Sequence, residues 1–154
     1  MNTVIINTDG GCAPNPGAGG WAAILVKGTH EKVVSGGSVD STNQRMELTA
    51  FIEAIKCLNQ SCEITLRADS KYVGDGVTKW LNGWVERGWR KANKKPVENV
   101  DLWQQVSALL KQGGHTVVFE HVKGHTGDAY NERCDALVRL EREKIISDIG
   151  KSEG

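Results

Sequence analysis

The stretch Val4-Ile5-Ile6-Asn7-Thr8-Asp9-Gly10-Gly11 decides the fold. Its three consecutive apolar β-branched residues predict a central strand buried on both faces, and the two glycines predict a turn directly after it. Asp9 stands where this predicted strand ends. Because ligands bind at the carboxyl edge of an α/β sheet, Asp9 is a candidate site residue.

Four further strands are predicted from apolar runs and from alternation. Two of them flank the polar stretch Lys27-Gly28-Thr29-His30, which suits the turn of an antiparallel hairpin. A later strand ends at Asp69, as the first is predicted to end at Asp9. These four strands are expected over residues 21–26, 33–39, 63–68 and 116–122.

Helical periodicity predicts the helices that cover this sheet. Ser41 and Gln44 offer a capping box for the first of them. Helical segments are also expected from about Tyr72 through a tryptophan-rich basic stretch, from about Leu102 to Gly113, and over the last part of the chain. The order of the elements predicts an α/β fold with a mixed sheet, in which antiparallel strands come first and parallel crossovers later.

The composition is that of one globular domain. The chain has 154 residues, of which 39% are hydrophobic and 25% charged, enough to bury a substantial core. We expect one domain over residues 1–146 and a flexible C-terminal tail over 147–154. The N-terminal stretch lacks the features of a signal peptide or a membrane span, which predicts a cytoplasmic protein with no membrane partner. We also expect a monomer with no obligate protein partner. A reducing compartment disfavours disulfides, and free cysteine is readily buried. Cys57 and Cys134 are therefore predicted core residues.

The charge is distributed unevenly along the chain. Nineteen basic residues balance nineteen acidic ones, a zero net charge that taken alone argues against a nucleic-acid partner. Yet the basic segment, residues 79–95, has a local charge of +5 and leaves −5 on the remainder. It also holds Trp80, Trp84 and Trp89, and cations interleaved with aromatic rings suit contacts to phosphates and bases. The alternative is a solvated helix with core tryptophans, which we expect for Trp84 and for Trp103.

Four acids on four predicted elements are expected to converge. Asp9 and Asp69 end apolar strands, so their carboxylates meet if those strands are parallel neighbours. Glu47 and Asp135 each flank the apolar stripe of a helix. Taken singly, each acid is more simply explained as a turn or surface residue, because such acids are common. Together they repel one another and require divalent cations such as Mg²⁺, which predicts phosphodiester hydrolysis by two metal ions.

Six short motifs occur in a fixed order along the chain. They are Thr8-Asp9-Gly10-Gly11-Cys12, Asn15-Pro16-Gly17, Asn43-Gln44-Arg45-Met46-Glu47-Leu48, Ala68-Asp69-Ser70, Lys123-Gly124-His125 and Asn131-Glu132-Arg133-Cys134-Asp135. In residues and order they resemble the bacterial type 1 ribonuclease H family, from about residue 2 to residue 139. The resemblance implies a ribonuclease H-like fold with a five-stranded mixed sheet. It also implies endonucleolytic cleavage of the RNA strand of RNA/DNA hybrids, giving 5′-phosphate and 3′-hydroxyl products.

The same resemblance implies a catalytic set. Asp9, Glu47, Asp69 and Asp135 would be ligands of two Mg²⁺ ions, for which Mn²⁺ would substitute. His125 would be the family's mobile-loop histidine, which assists proton transfer or product release. A histidine suits that task because it titrates near neutral pH.

The resemblance further implies contacts to the hybrid. Minor-groove contacts would come from the turn around Asn15 and from the start of the first predicted helix. Thr42 and Asn15 would form a DNA-phosphate pocket, and Trp80 would lie in the DNA-strand channel. The residues implied to bind substrate are Cys12, Asn15, Thr42, Asn43, Gln44, Lys71, Trp80, Arg87, Trp89, Arg90, Lys91, Lys94 and Lys95.

Three positions depart from the commoner family pattern. Gln44 stands where an asparagine is usual, and Lys71 and Asp75 stand where glutamines are usual. Lys71 could add a phosphate contact, whereas Asp75 would oppose one. Two other functions are compatible with the pattern: a related metal-dependent nuclease of the integrase or junction-resolvase kind, and a non-catalytic module that binds hybrids.

Overall fold

The computed structural model describes residues 2–123 and 127–153, with side chains as far as residue 151. Within these residues one sheet has five strands: β1 (Asn2–Cys12), β2 (Gly17–Lys27), β3 (His30–Ser41), β4 (Cys62–Ala68) and β5 (Thr116–His121). Their order across the sheet is β3-β2-β1-β4-β5. The first three strands pair antiparallel, and β4 is parallel to both β1 and β5. The predicted five-stranded mixed sheet is confirmed.

β1 is the central strand, and it continues past Asp9. Its parallel pairing with β4 ends at Asn7 and Arg67, whereas its antiparallel pairing with β2 continues as far as Cys12. The prediction that the strand ends at Asp9 is therefore wrong, because the β1–β2 ladder extends it. Asp9 lies just beyond the end of the parallel pairing, so it still faces the carboxyl edge of β4.

The helices of the described residues differ from the predicted ones in three places. They are α1 (Asn43–Lys56), α2 (Lys71–Asp75), a π-helical turn (Gly76–Trp80), α3 (Leu81–Glu86), α4 (Val100–Gly113) and α5 (Ala129–Glu153). The N-cap of α1 is Thr42 rather than Ser41, and its side chain accepts a hydrogen bond from the Arg45 N–H at 3.2 Å. No proline interrupts α5, which stays helical to Glu153 where the sequence suggested a loose tail from residue 147.

The third difference concerns the basic segment, which is helical only as far as Glu86. Gly88, Trp89 and Lys94 have left-handed φ values of 67°, 67° and 69°. A right-handed helix cannot continue through such residues, so the segment becomes a loop. The prediction of a helix through the whole basic segment is wrong.

Helices cover both faces of the sheet. On one face α1 and α4 enclose the main core, in which Phe51 and Trp103 are fully buried and Trp84 is nearly so. On the other face α5 places Cys134 and Val138 against β2. The core positions predicted for Trp84, Trp103 and Cys134 are confirmed, whereas Cys57 is only partly buried at the edge of the main core.

Gly20 allows α5 to lie directly on the sheet. A Cβ at this position of β2 would overlap the backbone carbonyl oxygen of Val138. The helix backbone therefore touches the strand backbone, which brings the face of α5 that carries Asp135 close to β1.

None of the helices in the described part of the chain is both long and apolar enough to cross a membrane.

Candidate active site

The four predicted acids come from four elements that meet at one edge of the sheet. Asp9 lies on β1, and Asp69 directly follows β4. Glu47 lies in the second turn of α1, and Asp135 lies in the second turn of α5. Asp9 interacts electrostatically with each of the other three. The predicted convergence of the four carboxylates is therefore present in the fold.

Gly10 brings Glu47 close to Asp9. A Cβ built on Gly10 would lie 2.5 Å from the carbonyl carbon of Met46 and 2.6 Å from the backbone nitrogen of Glu47. Only a residue without a Cβ allows the backbones of β1 and α1 to approach this closely. The glycine after Asp9 is therefore required by the site and not by a turn.

Burial and mutual repulsion disfavour the charged forms of two of the acids. Burial, then the nearby Asp69, and more weakly Asp135 and Glu47, raise the pKa of Asp9 to about 7, although the Gly10 N–H opposes the shift. Burial and Asp69 likewise raise the pKa of Glu47 to about 7, against the effect of the Ser70 hydroxyl, which donates to Glu47 Oε2 at 2.9 Å. The cluster therefore carries negative charge that destabilises it near neutral pH.

The donor set fits a hard divalent cation. Carboxylate oxygens are the ligands that Mg²⁺ and Mn²⁺ prefer, and Mg²⁺ retains several waters. Within residues 2–123 and 127–151, no three His, Cys, Asp or Glu side chains are arranged so that they could hold a metal ion as they stand. Asp135 is instead paired with Arg139 at 2.8 Å on the same helix. The acids thus supply oxygen ligands at one edge of the sheet, and water and substrate oxygens would have to complete the coordination of a bound ion.

These raised pKa values predict how stability depends on pH in the absence of metal. Asp9 and Glu47 bind protons more tightly in the folded than in the unfolded chain. Their contribution to the free energy of unfolding is therefore greatest below about pH 4 and is lost as the pH rises through 7. We expect a loss on the order of 5 kcal/mol between pH 5 and pH 8, because each of the two groups loses about two pKa units of stabilisation at about 1.4 kcal/mol per unit. Urea unfolding in EDTA at a series of pH values measures it.

Two variants show whether this loss of stability comes from the acid cluster. Asp9→Asn should flatten the loss, whereas Asp148→Asn, an exposed acid on α5, should leave it unchanged. Carboxyls such as Asp101 and Asp128 have lowered pKa values, so their contribution is complete above about pH 5. Equal stability at pH 5 and pH 8 in EDTA would contradict the expected repulsion.

The predicted minor-groove residues lie together beside the acids. Asn15 Oδ1 accepts a hydrogen bond from the backbone N–H of Asn43 at 3.1 Å. Asn43 Oδ1 in turn accepts one from the backbone N–H of Cys12 at 2.8 Å. With Thr42 capping α1, the turn after β1 and the start of α1 form one polar surface.

Asn99 is part of the same surface, although the sequence did not single it out. It has a left-handed φ of 54° and donates from Nδ2 to Tyr72 Oη at 3.0 Å and to Gln44 Oε1 at 3.4 Å. Its place just before a helix was the available sequence signal. Asn99 connects the end of the loop that contains the basic segment to Gln44 at the start of α1.

Beyond α3, residues 87–95 of the basic segment form an ordered loop. Arg87 Nε donates to the Arg90 carbonyl at 3.0 Å, and Arg90 donates to the Lys94 carbonyl at 3.1 Å. Lys91 pairs with Glu98 at 3.6 Å, and Lys95 is exposed. The loop's own backbone carbonyls therefore hold the Arg87 and Arg90 side chains in place.

The tryptophans of this region have two different environments. Trp80 is 45% exposed and lies beside Trp84, with ring centroids 6.1 Å apart. Together with Arg87 they line a cavity of about 350 Å³. Trp89 packs against the main core, which leaves Trp80 as the more open ring.

One predicted residue, Lys71, lies apart from this surface. Lys71 is exposed at the start of α2, where it lines a groove with Lys79 and His121. The His121 ring is 2.9 Å from the Asp69 carbonyl oxygen. His125 lies outside the described residues, so its predicted role stays a prediction.

Comparison with known proteins gives consistent matches over almost the whole chain. A model of the RNase H family matches residues 1–143. The chain is 51% identical over 143 residues to the ribonuclease H of Polaromonas naphthalenivorans strain CJ2, which covers 93% of this chain and 89% of that protein.

Solved structures share the fold. LC9-RNase H1, a type 1 RNase H with the type 2 active-site motif, has a TM-score of 0.81 and 28% identity, covering 94% of this chain and 74% of that one. LC11-RNase H1, solved in complex with an RNA/DNA hybrid, has a TM-score of 0.71 and 23% identity, covering 94% and 99%. At 23% identity, the match to LC11-RNase H1 shows a likeness of fold alone.

Proposed function

Because the chain belongs to the ribonuclease H family, we propose that it hydrolyses the RNA strand of RNA/DNA hybrids with divalent metal ions. The observation that carries this proposal is the convergence of Asp9, Glu47, Asp69 and Asp135 at one edge of the sheet. A module that only binds nucleic acid gains nothing from acids beside its phosphates. The acids favour a nuclease over a binding module.

The four carboxylates would hold two Mg²⁺ ions, with Mn²⁺ able to substitute. The chemistry supplied by the bound ions is activation of the attacking water and stabilisation of the leaving 3′-oxygen, which gives 5′-phosphate and 3′-hydroxyl ends. The protein's own part is to keep the carboxylates in place, and Ser70 does so for Glu47 by donating to its Oε2. His125 would assist proton transfer or product release.

The substrate would lie across two surfaces. The polar surface of Cys12, Asn15, Thr42, Asn43 and Gln44 would contact the minor groove, where amides and hydroxyls sense the 2′-hydroxyl. The basic segment and Trp80 would hold the DNA strand, and Lys71 would add a phosphate contact. LC11-RNase H1, which has a similar fold, is known in complex with a hybrid.

A substrate panel tests the proposed function. We expect Mg²⁺-dependent cleavage of the RNA strand in a labelled RNA/DNA hybrid, with little cleavage of an RNA duplex, a DNA duplex or a four-way DNA junction. EDTA should abolish the reaction, and the new ends should be 5′-phosphate and 3′-hydroxyl. Cleavage of the junction or of the DNA strand would point to a resolvase or integrase instead, and equal activity in EDTA would exclude the metal mechanism.

The salt dependence of binding tests the basic segment. Replacing Arg90, Lys91, Lys94 and Lys95 with alanine should weaken hybrid binding and flatten the plot of log affinity against log salt, by up to about 0.9 for each lost phosphate contact. Fluorescence anisotropy of a labelled hybrid from 50 to about 300 mM salt measures the slope.

A matched control removes the same charge from elsewhere on the chain. Alanine at Lys56, Lys111, Lys144 and Lys151 removes four exposed cations that lie outside the proposed surfaces. This variant should keep a slope close to that of the wild type. If both variants give the same slope, the basic segment does not contact the backbone of the hybrid.

A further inference from the structure

Arg67 joins three elements that each carry an acid of the site. It lies on β4 two residues before Asp69, so the two side chains emerge on the same face of the sheet. Its guanidinium donates to Asn7 Oδ1 on β1 at 2.8 Å. It also binds both oxygens of Asp128 before α5, at 2.5 and 3.5 Å. One side chain therefore links β4 to β1 and to α5.

Asn7 has the same place on β1 that Arg67 has on β4. The two residues are Cα partners in the parallel register, and Asn7 precedes Asp9 by two residues. Asn7 is buried, and its Nδ2 donates to the Ile24 carbonyl at 3.2 Å, so its Oδ1 is directed at Arg67. The bond between them fixes the alignment of β1 and β4 directly behind their two aspartates.

Asp128 anchors the first turn of α5. Its carbonyl oxygen accepts a hydrogen bond from the Glu132 N–H at 2.9 Å, and its Oδ1 accepts one from the Asn131 N–H at 3.0 Å. Asp135 follows seven residues later, which is about two helical turns and returns to the same face. By holding Asp128, Arg67 sets where Asp135 meets the sheet.

The geometry requires an arginine. The third contact of the guanidinium is Nε to Glu120 Oε2 on β5, at 3.3 Å. The Arg67 and Asp128 side chains are only 17% and 21% exposed, so the pair is largely shielded from water. A planar fork of N–H donors satisfies all three partners at once, which a lysine ammonium cannot do with the same reach.

We propose that Arg67 is a positioning residue that holds β1, β4 and α5 in the arrangement in which Asp9, Asp69 and Asp135 bind divalent cations. The inference rests on the proposed function and adds a residue to it. The acids repel one another, and a repulsion between elements separates them unless another contact opposes it. Arg67 supplies that contact from within the fold, without touching the substrate.

The test compares Arg67→Ala, Arg67→Lys and Asp128→Asn with the wild type in two Mg²⁺ titrations. One follows the melting temperature of the protein without substrate, and the other follows hybrid cleavage. We expect the Mg²⁺ midpoint to rise about tenfold in both titrations for Arg67→Ala, the size usual for residues that orient metal ligands. Arg67→Lys should give an intermediate shift, and the KM for hybrid at saturating Mg²⁺ should stay unchanged.

Val138→Ala is the control for a purely structural effect. Val138 is buried on α5 and makes apolar contacts, so its truncation should lower the melting temperature and leave both midpoints unchanged. If Arg67→Ala behaves like Val138→Ala, the positioning role is wrong. If Arg67→Ala does not fold, unchanged midpoints in both Arg67→Lys and Asp128→Asn overturn it equally.

The wild-type protein distinguishes a failure of the proposed function from a failure of the role assigned to Arg67. A wild-type protein that neither cleaves hybrid nor gains stability from Mg²⁺ would contradict the proposed function itself. An active, Mg²⁺-stabilised wild type whose Arg67 and Asp128 variants have unchanged midpoints would contradict the role of Arg67 alone.

Discussion

Replacing Asp9 with asparagine is expected to lower the rate of hybrid cleavage by at least about 10³-fold, or about 4 kcal/mol in activation free energy. The amide removes a charged oxygen ligand from the centre of the acid cluster while keeping the shape of the side chain. Hybrid affinity should stay within about tenfold, because the proposed binding surfaces are untouched. Single-turnover cleavage with excess enzyme, combined with anisotropy for binding, separates the two quantities.

The same substitution should also affect stability, and there it should improve the protein instead of impairing it. Removing one of four repelling carboxylates should stabilise the metal-free protein at pH 8, because the Asp9 carboxylate is disfavoured there by burial and by Asp69. Asp148→Asn removes an exposed acid on α5 and should alter neither property. Wild-type cleavage rates in Asp9→Asn would exclude Asp9 from the reaction.

Replacing Gly10 with alanine should damage both stability and catalysis. The added Cβ would enter the space occupied by the backbone of Met46 and Glu47, and backbone cannot rotate away as a side chain can. We expect a loss of about 1–3 kcal/mol in the free energy of unfolding. We also expect cleavage to fall about 100-fold, since a displacement of about 1 Å at a reacting group has that effect.

Gly11 is the matched control, one residue along the same strand. A Cβ there would lie 3.5 Å from Asn43 Oδ1, an ordinary van der Waals contact. Gly11→Ala should therefore retain most of the stability and activity of the wild type. Thermal unfolding and single-turnover rates for the pair decide the question, and equal behaviour of the two variants would show that α1 does not depend on Gly10 for its position.

The sequence predicted the parts of this molecule that depend on local pattern. The apolar run before Asp9 gives the central strand, and the strand ending at Asp69 gives its parallel neighbour. Membership in one family follows from motifs that are short and ordered. These features depend on periodicity and composition, which a single sequence contains.

The rest depends on contacts between distant residues. β1 continues past Asp9 because β2 pairs with it. The basic segment leaves its helix before the left-handed Gly88, and it stays a loop because Trp89 and Lys94 also take left-handed conformations without being glycine. Arg67 occupies a strand position that alternation alone would assign to solvent. Its partners Asn7 and Asp128 lie about sixty residues away on either side, so no local pattern could identify it.

The distance along the chain between β1 and α5 has a consequence during synthesis. Asp9 is synthesised well before Asp135 and the α5 residues that cover β2. Until then the apolar side chains Ala22 and Ile24 have no helix over them, and the acid set lacks one member. A nascent chain that stops before α5 is therefore without the complete acid set, so we expect no cleavage of hybrid until α5 has been made.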